Sequence, residues 1–170
     1  MILRSGNRTG WWLSKCVWNA AAVVVLYLIA WGTVFLLAGL NHAVWSFEIS
    51  PFMAEIMAPG PCQLISASWQ VALEITILPL LATLAVSQVQ MLLCLIVRPA
   101  VSYVVSIVLF LSSAYKLSPL LPGNYAMALR SDKIISNGVS QMTGIEIHLF
   151  LILASVVLGN LLFQKYNILN

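Results

Sequence analysis

The sequence predicts an all-α protein, a polytopic membrane bundle of four transmembrane helices. Three observations carry that prediction. First, 61% of the 170 residues are hydrophobic and only 8% are charged, with a mean hydropathy of +0.98. An ordinary soluble domain holds about 45–50% apolar and about 25% charged residues, so so few charges cannot cover a soluble fold of this length. Second, four apolar stretches approach or exceed the roughly 20 residues that a helix needs to cross the hydrocarbon core. Third, the connections between them are either very short or broken by proline, and none is long enough for a soluble domain. The chain reads as one membrane domain over residues 1–170. The richness in aliphatic and aromatic residues excludes a disordered chain. Eight Lys and Arg against five Asp and Glu are too few and too scattered for a nucleic-acid surface, which needs a basic stripe.

The spans fall at about 17–40, 71–97, 100–121 and 147–163. The first carries no charge and is too long for a cleaved leader. The second holds Glu74 near its start and Pro79 about a turn later. Arg98 and Pro99 alone separate it from the third, so these two spans form a tight hairpin. The third carries Lys116 towards its far end, where Pro119 and Pro122 end or kink the helix. The segments at 41–70 and 118–146 connect the spans on the opposite side. Within the first of them, residues 47–57 fit a short interfacial helix, with Ser50 as cap and Pro51 at the first helical position.

Charge sets the orientation. Arg4, Arg8, Lys15, Arg98 and Lys165 lie on one side with no acid beside them. Lys116, Arg130 and Lys133 share the other side with Glu48, Glu55, Glu74, Asp132 and Glu146. Positive residues near short loops mark the cytoplasmic face. The expectation is a multi-pass protein of the cell membrane with both termini in the cytoplasm.

The residues offer little covalent chemistry. There is no phosphate-binding glycine loop, no HExxH and no Gly-x-Ser-x-Gly. Cys16, Cys62 and Cys94 contain no CxxC pair. Glu74 and Glu146 lie near helix starts, where a carboxylate complements the helix dipole. Lys116 reads as a snorkelling side chain, and His148 as a marker of the membrane boundary. No enzyme activity, no cofactor and no metal site is expected. Trp11, Trp12 and Trp18 read as an aromatic belt around Lys15. Ser155 and Gly159, four apart in the last span, would let another helix approach closely; Gly32 and Gly39 share that small-residue character.

The segment Leu3-Arg4-Ser5-Gly6-Asn7-Arg8-Thr9-Gly10-Trp11-Trp12-Leu13-Ser14-Lys15 is basic, turn-forming and aromatic, and it runs straight into a span. It resembles the cytoplasmic stretch of bacterial type-2 ABC exporter permeases, where a basic turn and an aromatic patch lead into the third transmembrane helix. Leu121-Pro122-Gly123-Asn124-Tyr125-Ala126-Met127-Ala128-Leu129-Arg130 resembles the extracellular segment before the last helix of those permeases. The ending Phe163-Gln164-Lys165-Tyr166-Asn167-Ile168 is similar to their closing pattern. The resemblance covers nearly the whole chain but only the last four helices of a six-helix unit. It implies a shortened permease, or one whose upstream helices belong to another chain.

What the resemblance implies is specific. Arg4, Arg8, Trp11, Trp12 and Lys15 would form a coupling segment that docks on a separate ATP-binding subunit, with Asn7 to Gly10 as its turn. Pro119, Leu120, Pro122 and Tyr125 would build an outer gate facing the bundle axis, because irregular backbone at membrane depth needs protein or water around it. The further partners would be the lipid bilayer and another membrane subunit or a second copy. The substrate of such an exporter would be amphipathic, a peptide or lipid-like molecule. The same residues also fit a second class, a non-transporting four-helix interaction protein acting in immunity, assembly or regulation.

Overall fold

The computed structural model describes residues 7–42, 69–127, 130–132 and 137–165, with backbone alone for 69–74. Among these, the chain is helical apart from turns and one isolated bridge between Ser131 and Val139. The helices are α1 (Arg8–Leu40), α2 (Trp69–Leu93), α3 (Pro99–Tyr115) and α4 (Gln141–Lys165), with a 3₁₀ turn at Pro122–Ala126 before α4. The expected interfacial helix at 47–57 lies outside the described residues, as does Arg4.

Helix α1 starts well ahead of its apolar stretch. Asn7 caps it, its side-chain oxygen accepting from the amides of Thr9 at 3.1 Å and Gly10 at 3.3 Å. With 33 residues it is about 50 Å long, longer than a hydrocarbon thickness of about 30 Å. The helix closes through Asn41 and His42, whose amides bond Leu37 and Gly39; His42 takes a left-handed φ of 52°.

Helix α2 contains Pro79, which has no amide hydrogen to give its own helix. The carbonyl left without its helical donor is that of Ile75, one turn earlier. The hydroxyls of Tyr27 on α1 and of Thr83 each donate to the Pro79 carbonyl at 2.9 Å. The hairpin to α3 is tight, as the Arg98-Pro99 pair predicts. Pro99 takes the first helical position of α3, and the Ser102 hydroxyl reaches back to the Gln90 carbonyl at 3.0 Å.

Besides the early start of α1, three ends differ from the sequence expectation. Helix α2 ends at Leu93, short of the expected 97. Helix α3 stops at Tyr115 instead of continuing to 121, and Lys116 is extended. Helix α4 starts at Gln141, ahead of the expected 147. Helices α1, α2 (over Ile75–Leu93) and α4 are long and apolar enough to cross a membrane. The 17 residues of α3 rise about 25 Å, at the short limit for a span.

The antiparallel order follows from paired residues. Arg8 and Trp12 meet Gln164 and Val156, while Cys16 and Tyr27 meet Gln88 and Pro79. Helix α1 therefore runs opposite to both α2 and α4. The latter two lie side by side and share the most extensive interface; α3 packs mainly on α2 and the 3₁₀ turn.

Candidate functional site

Two clusters cap the bundle, one at each end. At the end that carries the described chain termini, the first turns of α1 clasp the last turns of α4. The Arg8 guanidinium donates to the Gln164 carbonyl at 2.9 Å, and the Gln164 amide donates to the Thr9 hydroxyl at 3.0 Å. Trp11 stacks on Phe163 with ring centres 4.8 Å apart, and the Lys15 ammonium lies 5.3 Å from the Trp11 ring centre. Lys15, Arg98 and Lys165 are solvent- or headgroup-exposed at this end.

Two expectations for this segment need correction. Arg8, Thr9 and Gly10 are the first turn of α1, not a separate turn beneath the membrane, because Asn7 already satisfies the open amides there. Trp12 is no belt residue. It is 2% exposed and lies across Gly159, where an added Cβ would come within 2.0 Å of the indole ring. Its Nε1 donates to the Val156 carbonyl at 3.0 Å. The small pair Ser155 and Gly159 does admit a close neighbour, and that neighbour is the Trp12 indole of this same chain. Trp18, 75% exposed, faces outward.

At the opposite end, Tyr125 is buried on Leu78 and Val139 and lies over Gly144, whose hypothetical Cβ would meet the phenol ring at 2.4 Å. Its hydroxyl donates to the Pro119 carbonyl at 2.9 Å. Burial pushes the Tyr125 phenol above its ordinary value. Pro122 is buried and Pro119 exposed. Leu120 is 83% exposed, which corrects the expectation that it faces the bundle axis. The turn directs Tyr125 inward instead.

Three residues at this end carry structure that the sequence reading did not assign. Arg130 donates to the carbonyls of Ser113 and Ala114 and to the Asn124 side-chain oxygen. It thereby satisfies carbonyls that the end of α3 leaves open. Asn124, fully buried, donates to the carbonyls of Lys116 and Ser118 at 2.9 Å each. His148 is fully buried, not at the boundary; its ring meets Tyr125 edge-on at 5.3 Å. Neither His148 ring nitrogen makes a hydrogen bond of ordinary geometry. The available signal was a lone arginine downstream of a proline-broken turn, after a helix whose last carbonyls need donors. Among the described residues, no three His, Cys, Asp or Glu side chains gather as a metal site requires.

Apolar spanning helices held together by hydroxyl, amide and indole contacts define a polytopic α-helical membrane protein. Over residues 1–169 the sequence matches the family described as "Protein of unknown function (DUF2705)", and the chain belongs to that family. No curated protein and no solved structure matched the chain.

Proposed function

We propose that this chain is a membrane subunit of an ATP-driven exporter, and that the clasped end of α1 and α4 docks a separate ATP-binding subunit. One observation carries the reading. The basic residues Arg8, Lys15, Arg98 and Lys165 stand at one end of the bundle, around an aromatic stack that ties α1 to α4. By the bias of positive charge towards the cytoplasm, this end faces inward and both termini are cytoplasmic. A cytoplasmic subunit pressing on it would move α1 and α4 as one body. Helix α4 carries His148 and Gly144 against Tyr125, so rocking of α4 would alter the packing of the proposed outer gate. The chain itself would do no covalent chemistry. The cargo would be amphipathic.

The test uses exposed charges that take no part in the Arg8–Gln164 clasp or the Trp12 seat. Lys15 and Lys165 are exposed, so the double variant Lys15→Glu and Lys165→Glu leaves the Arg8–Gln164 clasp and the Trp12 seat in place. Truncating a charge buried at an interface costs roughly 2–5 kcal/mol, enough to cut complex recovery by more than tenfold. The wild-type chain, purified in mild detergent from its native cells, is expected to bring down a phosphate-loop ATPase. The double variant is expected to insert normally and lose it. A wild-type chain that recovers no such ATPase, or a variant that recovers it in full, overturns the docking reading.

A further inference from the structure

A laterally open cleft separates α2 from α3. It has a volume of about 370 Å³ and is lined by Thr83, Val86, Ser87 and Gln90 from α2, with Tyr103, Ser106, Ile107, Phe110 and Leu111 from α3. Ligand sites are clefts of about 300–1,000 Å³, mostly apolar with a few placed polar groups, and this cleft meets both criteria. Contacts pin the two helices together at each end, and the cleft stays open at its side. At the hairpin end, the Ser102 hydroxyl holds the Gln90 carbonyl. At the other, Gly123 of the 3₁₀ turn sits against Phe110 and Ser113. Between these clamps the helices stand apart.

Size and polarity identify the occupant. A helix with side chains is about 10–12 Å across with a pitch of 5.4 Å, so a single turn fills roughly 400 Å³ or more. The cleft is too small to enclose a partner helix. From Tyr103 to Leu111 it runs about 12 Å along α3, less than half of the roughly 30 Å hydrocarbon layer. Most of its polar groups, Gln90, Ser87, Tyr103 and Ser106, lie towards the hairpin, and Thr83 alone lies at the far end. Apolar groups lie deeper, at Ile107, Phe110 and Leu111. One turn beyond Ser102, on the hairpin side, stands Arg98, which is exposed and forms no ion pair among the described residues. Basic groups between transmembrane helices at a membrane face hold anionic headgroups.

We propose that the cleft between α2 and α3 holds one acyl chain of an anionic phospholipid, whose headgroup phosphate rests on Arg98. The site is independent of the exporter reading, because it uses neither the clasped helix ends nor any ATPase. The full chain is reconstituted in bilayers of equal phosphatidylglycerol and phosphatidylcholine, extracted into mild detergent and examined by native mass spectrometry. The wild-type chain is expected to retain one lipid, predominantly phosphatidylglycerol. Ser106→Phe places a ring in the cleft and should lower retention by about tenfold, the loss that expelling two buried methylenes brings. Val108→Phe, on the exposed face of α3, should retain lipid as the wild type does.

Arg98→Gln is exposed and outside the packing, so it tests the proposal even if Ser106→Phe does not fold. It should erase the preference for phosphatidylglycerol over phosphatidylcholine. Equal retention by Ser106→Phe and Val108→Phe, both folded, overturns the acyl-chain site. A wild type that retains no lipid, or an Arg98→Gln variant that keeps the full preference, overturns the headgroup assignment and the proposal with it.

Discussion

The two halves of α1 behave differently: the first carries Arg8, Lys15 and Asn19, and the second is apolar almost throughout. In the first half, Trp12, Cys16 and Val23 are buried, with Asn19 and Tyr27 on the same helical stripe. That stripe is fastened by polar groups. Gln88 donates to the Cys16 carbonyl at 3.0 Å, Asn19 donates to the Ser87 hydroxyl at 3.0 Å, and Tyr27 donates to the Pro79 carbonyl. In the second half, Val34, Phe35, Leu36, Leu37 and Leu40 are all exposed, and no cross-helix hydrogen bond is seen among the described residues there. Lipid tails are as apolar as leucine, so greasiness alone drives no helix onto another. Small residues and polar side chains decide which half packs.

The glycines should show the largest contrast. Leucine at Gly159 would force the Trp12 indole out of its seat, and overpacking of this kind is expected to cost about 3 kcal/mol or more. Leucine at Gly32, where an added Cβ meets nothing within 4 Å, should change stability by less than about 0.5 kcal/mol. Reversible unfolding in mixed micelles measures both; equal losses would break the comparison.

The tryptophans come next. Trp12→Phe removes the Nε1 bond to a carbonyl that its own helix still satisfies, at a cost of about 1 kcal/mol. Trp18→Phe should cost less than about 0.5 kcal/mol. Smaller again is Tyr27→Phe, expected at about 0.6 kcal/mol, the usual value of a hydrogen bond between spanning helices. A neutral result there would reduce the polar fastening of α1 to Gln88 and Asn19.

At the far end of the bundle the expected effect is one of pH. The unfolded Tyr125 phenol ionises near its ordinary value of 10.0, whereas the buried one ionises higher. The stability carried by the neutral buried phenol is therefore intact below pH 10 and declines as the pH rises further. In an alkaline unfolding series, Tyr125→Phe should flatten that decline. An unchanged slope would place the titration elsewhere.

Much of this was legible in the residues. Composition and hydropathy define the all-α membrane class, and the Arg98-Pro99 pair marks the hairpin. Ser155 and Gly159 mark a point of close approach. The identity of the approaching group was not legible, because a tryptophan near a membrane boundary has the same local signature in a belt and in a packed seat. Only the pairing of residue 12 with residues 156 and 159, far apart in sequence, separates the two. The early end of α3 has a similar cause. Its stop at Tyr115 is held by Arg130 and Asn124, which donate to carbonyls of residues 113, 114, 116 and 118. His148 misled because a polar residue beside Glu146 reads as the edge of a span, whereas Gly144 makes room for Tyr125 to bury it.

The central claim is that α1 is packed along one stripe in its first half and, among the described residues, mostly exposed in its second. Nitroxide labels placed singly from residue 9 to residue 40, in the chain reconstituted in bilayers, read it directly through their accessibility to oxygen. The account predicts a helical modulation with minima at residues 12, 16, 19, 23 and 27, giving way to uniformly high accessibility from about residue 33 onward. A modulation of the same depth persisting through Leu40, or none at all across the first half, would contradict it.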